Sequence, residues 1–193
     1  MPLLPPEPAL FPDDLFTAPT NADNDARWWA LHTRPRAEKA LARTLRAQGL
    51  PHFLPQYERR WRSRGRALCA YVPLFPGYLF LHGDGEARRR ALVTNLVANC
   101  LPVADQARLW YDLVGVWRLM TSGAMLSPED RLVPGTRVEI IGGPLVGLEG
   151  TVLRSGTRSR FYVSVTFLQR GVSAEVEAWM LSPVDGSQLA AVR

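Results

Sequence analysis

The chain has 193 residues, 47% of them apolar and 21% charged, enough for one medium domain or two small ones of ordinary soluble composition. No apolar run approaches the ~20 residues of a membrane span, and residues 1–26 hold no Lys or Arg, so neither a membrane protein nor a basic secretory start is expected and a cytoplasmic monomer is the default. The net charge of +5 is uneven: residues 1–26 hold five acids and no base, residues 27–122 hold 16 bases against 6 acids, and residues 123–193 hold 7 of each.

That distribution predicts three parts with different partners, the middle one suited to a polyanion such as nucleic acid. Residues 1–26 are rich in proline and acid and offer few periodic apolar positions, which predicts a disordered tail. The Leu10-Phe11 and Leu15-Phe16 pairs are its only candidates for docking. Trp28 to His32 is apolar throughout and reads as a central strand. Thr33 to Pro35 makes a turn. A helical pattern opens at Arg36, with Ala37, Leu41, Thr44 and Leu45 on one face and Gly49 at its end. His52 to Tyr57 is extended. Arg59 to Arg66 then places five arginines in eight residues around a Ser-Arg-Gly tip, with Trp61 among them, which reads as a hairpin. Ala67 to Val72 returns as a strand. A Pro73-Leu74-Phe75-Pro76-Gly77 bend leads into the strand Tyr78 to Leu81. A short helix over 86–94, a strand over 97–103 and a helix from Asp105 to Gly123 follow. This order predicts an α+β domain over 27–122, an antiparallel sheet flanked by helices.

Residues 123–134 read as a linker. From Gly135 the composition shifts to short β-branched strands between glycine turns, around Val138, Val152, Val163 and Val176, which predicts a small all-β barrel over 135–193. Cys69 and Cys100 belong to no metal-ligand spacing and read as reduced thiols. His32, His52 and His82 are not spaced as metal ligands. No Gly-x-Ser-x-Gly, phosphate loop or paired carboxylates appear, so a non-catalytic protein without cofactor is expected.

Two motifs point further. Trp28-Trp29-Ala30-Leu31-His32-Thr33 before a helix, then Pro73-Leu74-Phe75-Pro76-Gly77-Tyr78-Leu79-Phe80, resembles the NGN domain of the NusG/RfaH family of transcription elongation and antitermination factors. The Pro-Leu-Phe-Pro start is closer to the specialised RfaH-like paralogues. Gly135 to Val152, with its Gly142-Gly143-Pro144 turn, resembles a KOW motif opening an SH3-like barrel.

The resemblance implies a partner, the clamp of the largest RNA polymerase subunit, bound through a hydrophobic surface. Here that surface would comprise His32, Phe75 and Tyr78, with Trp110 and Leu113 from the last helix of the domain. It also implies DNA near the transcription bubble. The arginines suited to it are Arg34 and Arg36 at the start of the first helix, together with Arg59, Arg60, Arg62 and Arg64 around Trp61, a basic-plus-aromatic set. Arg88, Arg89 and Arg90 fall where the family makes a second polymerase contact, a place where RfaH-type proteins are rich in hydroxyls. A KOW domain implies a small-subunit ribosomal protein or the termination factor Rho as a further partner. In RfaH this domain also exists in a helical form, which the glycines and β-branched runs after Gly135 oppose. The rival reading, a ribosome-associated KOW-type RNA-binding protein, calls for a basic barrel, whereas residues 123–193 are neutral.

Overall fold

The computed structural model describes residues 7–17, 25–63, 65–129, 135–155 and 158–184. The chain divides after Gln106 into two compact units.

In the first unit, strands β1 (Leu10–Phe11), β2 (Arg27–Thr33), β3 (His52–Phe53), β6 (Tyr78–Gly83) and β7 (Val97–Leu101) form one antiparallel sheet in the order β1-β3-β6-β2-β7, while β4 (Gln56–Ser63) and β5 (Arg66–Pro73) pair as a separate hairpin. Helices α1 (Glu38–Ala47) and α2 (Gly85–Val93) complete the unit. Strand period sorts the sheet into two apolar faces. Leu31, Leu79 and Leu81 share a core with Leu41, Ala42 and Leu45 of α1 and Ala87 and Ala91 of α2. Burying each of the two fully enclosed leucines of α1 contributes about 2 kcal/mol. Asp84 caps α2, its Oδ1 accepting the Ala87 N–H at 2.8 Å.

The opposite face is aromatic. Trp28 lies across from His82, Ala30 from Phe80 and His32 from Tyr78. Phe16 stacks on Trp28 at 5.7 Å and meets Phe53 edge-on at 5.1 Å, and Phe75 meets Phe80 edge-on at 6.2 Å. Gln106 closes the end of β2, its side chain accepting the Trp28 N–H at 2.6 Å and donating to the Trp28 carbonyl at 3.1 Å.

The tail expected to be disordered is therefore docked over residues 7–17. Leu10 pairs with Phe53 and Phe11 with His52. The Leu54 N–H reaches the Ala9 carbonyl at 2.7 Å, and Arg43 pairs with Glu7 at 2.5 Å. The reason is that Leu10 and Phe16 gain an apolar edge and face that their local sequence does not advertise. Residues 1–6 and 18–24 lie outside the described residues.

The second unit holds α3 (Gln106–Thr121, from Ala107 onward) and an antiparallel sheet of six strands. These are β8 (Leu126–Glu129), β9 (Thr136–Ile140), β10 (Glu149–Ser155), β11 (Arg158–Val165), β12 (Arg170–Val176) and β13 (Leu181–Pro183), in the order β13-β9-β10-β11-β12-β8. Val138, Ile140, Phe161, Val165 and Val172 are buried in it. Gly150 is required for close strand approach, since a Cβ there would lie 2.4 Å from the Tyr162 carbonyl oxygen.

Two boundaries differ from expectation. The domain edge falls after Gln106 rather than at 122, because α3 packs with the sheet: the buried Asp112 accepts the Thr166 N–H at 2.8 Å. The expected linker 123–134 contributes β8, whose Leu126 lies opposite Ala174, while residues 130–134 lie outside the described set. The sheet ends on β13 and β8, and closure into a barrel is not part of its described pairing. No α-helix follows Thr121 among the described residues. No helix there is long and apolar enough to cross a membrane.

Candidate functional site

The exposed end of the aromatic face is built by the turn before β6. The Leu74 N–H donates to the Pro55 carbonyl at 2.8 Å, and the Tyr78 N–H donates to the Phe75 carbonyl at 3.0 Å. Gly77 is held from both sides: its N–H donates to Oε1 of the buried Glu38 at 2.8 Å, and its carbonyl accepts the Thr33 N–H at 2.8 Å. Its φ of +83° is a conformation that glycine adopts at little cost. A Cβ there would sit 3.4 Å from the His32 ring. Lys39 of α1 adds a bond from Nζ to the Tyr71 carbonyl at 2.7 Å.

This pinning decides which aromatics face outward. His32 is exposed and Tyr78 half-buried, their ring centroids 5.2 Å apart. A register shift between His32 and Thr33 against β7 lies at the same place, a device that re-aims side chains. Phe75 is corrected: it is 1% exposed and a core residue, because the turn points it back onto Phe80. Leu113 is likewise corrected to a buried position on α3, whereas Trp110 and Tyr111 are each about two-fifths exposed there. His32 and Tyr78 thus come together in the first unit, and Trp110 and Leu113 belong to the second.

Arg34 and Arg36 are exposed on the loop after His32. They do not open α1, which begins at Glu38. Arg34 donates to Asn95 Oδ1 at 2.5 Å, and Arg36 takes a φ of +61°, uncommon for a residue with a side chain. On the hairpin, Arg59, Arg60, Trp61 and Arg62 are all exposed, and Arg64 lies outside the described residues. Trp61 faces Leu68 across the strands and Arg59 faces Ala70, so one face carries an exposed aromatic beside a guanidinium. The other face is partly neutralised: Glu58 pairs with Arg60 at 2.7 Å and accepts from Cys69 Sγ at 2.7 Å. The bond from Arg60 holds the Glu58 carboxyl below its ordinary range, and the Glu58 bond pushes the Cys69 thiol up.

The three arginines of α2 all have partners within the chain. Arg88 stacks over Trp29 at 5.3 Å, with Arg27 at 5.5 Å from the same ring. Arg89 pairs with Glu86, and Arg90 donates to the Gln48 carbonyl at 2.9 Å. Arg89 and Arg90 remain exposed. Burial lowers the pKa of both His52 and His82. No cluster of three metal-ligating side chains occurs among the described residues, and both cysteines are free.

Sequence reasoning missed Glu38, whose role is invisible until the turn folds over α1, and it missed Phe16 as a cover for Trp28. An acid in the first turn of a helix is favoured there by the dipole alone, so the sequence carried no signal that sets Glu38 apart.

The first unit is thus an α+β domain that presents an aromatic pair beside exposed arginines. Residues 26–108 match the family described as "Transcription termination factor nusG", so this stretch is similar to the domain of that family. No curated protein matches the chain. Among solved structures, a chain of the crystal structure of the MjSpt4:Spt5 complex in conformation B is 16% identical over 81% of this chain and 96% of that one. Its TM-score of 0.26 is too low to bear on the fold.

Proposed function

We propose that this protein is a transcription elongation factor of the NusG type that binds RNA polymerase through the surface around His32 and Tyr78. The family match over residues 26–108 supports the elongation role. The observation that carries the docking surface is the His32–Tyr78 pair, held outward by Gly77 between Glu38 and Thr33. Arg34, Arg36 and the Trp61 face of the hairpin lie toward the DNA, where cations and an exposed ring suit phosphates and bases. Arg89 and Arg90 offer the second polymerase contact.

In this reading the domain binds the closed clamp of the largest subunit better than the open one and shifts the population toward the elongating state. Pausing or termination falls as a result. The protein acts as a specialised, RfaH-like antitermination paralogue in the bacterial cytoplasm. Its second unit serves as a KOW domain that links the complex to a small-subunit ribosomal protein or to Rho. Single-round transcription on a template with a strong pause tests this. Wild type shortens the pause and His32→Ala/Tyr78→Ala does not. An unchanged pause lifetime with wild type contradicts the proposal.

A further inference from the structure

The second unit carries an exposed apolar cluster that the sheet does not use. Ile141 opens the loop 141–148 that links β9 to β10 and Val146 lies two residues before its end, and both are half exposed or more. The Gly147 N–H donates to the Ile140 carbonyl at 2.8 Å and closes that loop at its base. Trp179 is 64% exposed, with its ring edge against Gly142, where a Cβ would lie 2.8 Å from Cζ3. The Ile141 N–H donates to the Met180 carbonyl at 2.8 Å and fixes the Trp179 turn to the same loop. Large apolar side chains gathered at one exposed place mark a protein contact, and tryptophan is the residue type most often found to anchor one.

Charge around the cluster selects the partner. Glu177 Oε2 accepts the Trp179 indole N–H at 2.5 Å, so its carboxylate lies at the edge of the ring. Glu139 Oε1 lies 4.0 Å from where a Gly147 Cβ would be, beside Val146. Both acids are exposed, and among the described residues neither pairs with a cation. Arg137 is engaged with Glu149 at 3.3 Å, and Arg118 reaches the loop at the Val146 carbonyl, 2.5 Å away. Carboxylates flanking an apolar ring disfavour nucleic acid and favour a basic segment, whose cations can also sit on the indole face.

We infer that Ile141, Val146 and Trp179 form a docking surface for a protein segment that alternates aliphatic and basic side chains. This deepens the reading of the second unit as a partner-binding domain and rests on it. The test titrates the isotope-labelled full chain with a short synthetic peptide alternating Leu and Lys, and with its Leu/Glu counterpart, following the backbone N–H resonances of residues 141–148 in every protein and, where that side chain is present, the Trp179 indole N–H resonance. The Leu/Lys peptide shifts these resonances and the Leu/Glu peptide does not. Ile141→Ser/Trp179→Ala weakens binding at least about tenfold, while Glu139→Gln/Glu177→Gln, which keeps the apolar cluster, abolishes the preference for Lys.

Each double variant is required to keep the remaining spectrum of the wild type and its binding to RNA polymerase. Retained polymerase binding separates failure of this surface from failure of the polymerase reading. Equal binding of both peptides, unweakened binding by the folded Ile141→Ser/Trp179→Ala variant, an oligonucleotide shifting the indole resonance, or self-association lost in that variant would each overturn the inference.

Discussion

Gly77 and Glu38 together set the direction of His32. Replacing Gly77 by Ala forces a side chain into the left-handed region at a cost of about 1–2 kcal/mol and brings a Cβ to 3.4 Å from the His32 ring. The expected result is a lower melting temperature with a shift of the His32 ring resonances, and an unmoved ring contradicts the role given to the turn. Asp112 makes a contrasting case. Burial is the main cause raising its pKa above the ordinary 3.8, against the pull of the Thr166 N–H and Arg108. Its ionised form is therefore disfavoured in the folded state, and its contribution to stability is present below pH 3.8 and lost as pH rises through the raised value. Asp112→Asn keeps an acceptor for Thr166 and removes the charge, so it is expected to be more stable than wild type at neutral pH, with the gain vanishing in acid. Asp112→Ala leaves the Thr166 N–H unmet and costs about 1–3 kcal/mol. Denaturant melts of both variants across pH decide the point. The strand and turn that carry His32 and Tyr78 were legible in sequence, whereas the inward turn of Phe75 was not. Three aromatics in six residues do not say which of them the backbone points into the core.

At the scale of elements, the N-terminal segment is an integral edge of the sheet. Phe16 is 9% exposed between Trp28 and Phe53, and Phe16→Ala is expected to cost about 3 kcal/mol, measurable as a shift in denaturation midpoint. A midpoint within error of wild type contradicts the docking of residues 7–17. Beneath it, His52 is buried and its Nδ1–H donates to the Leu50 carbonyl at 2.9 Å. Burial, opposed by that bond and helped by Arg46, lowers its pKa from 6.5. A lowered imidazole contributes stability above pH 6.5 that is lost as pH falls through the folded value. His52→Gln is expected to flatten the fall in melting temperature below about pH 6.5, and an unchanged slope rejects that account. The hairpin arginines belong to the same scale. If Arg59, on the Trp61 face, contacts a phosphate, replacing it by Ala lowers the salt slope of DNA binding by about one unit, and an unaltered slope removes it from the interface. The basic hairpin was read correctly as a hairpin from its composition. The docked tail was not, because its few apolar residues fold only onto a surface made by residues 28, 52 and 53.

For the whole molecule, the charge divisions of the sequence run close to the structural ones but do not coincide with them. The basic stretch 27–122 spans the first unit and α3, and the structure places α3 with the six-stranded sheet. An amphipathic helix reads the same from sequence whichever sheet it covers, so its apolar stripe marked α3 as a packed helix and named neither its host nor the side on which Leu113 lies. The rival assignment as an RNA-binding ribosomal protein and the elongation reading part on one observation, attachment to the polymerase. The most direct measurement is retention of the purified full chain on immobilised core RNA polymerase, for wild type and for His32→Ala/Tyr78→Ala, with both shown to be folded by circular dichroism. The account predicts that wild type is retained and the folded double variant is lost at the same salt concentration. Equal retention of the two would move the docking surface elsewhere on the chain, and no retention of wild type would contradict the central claim.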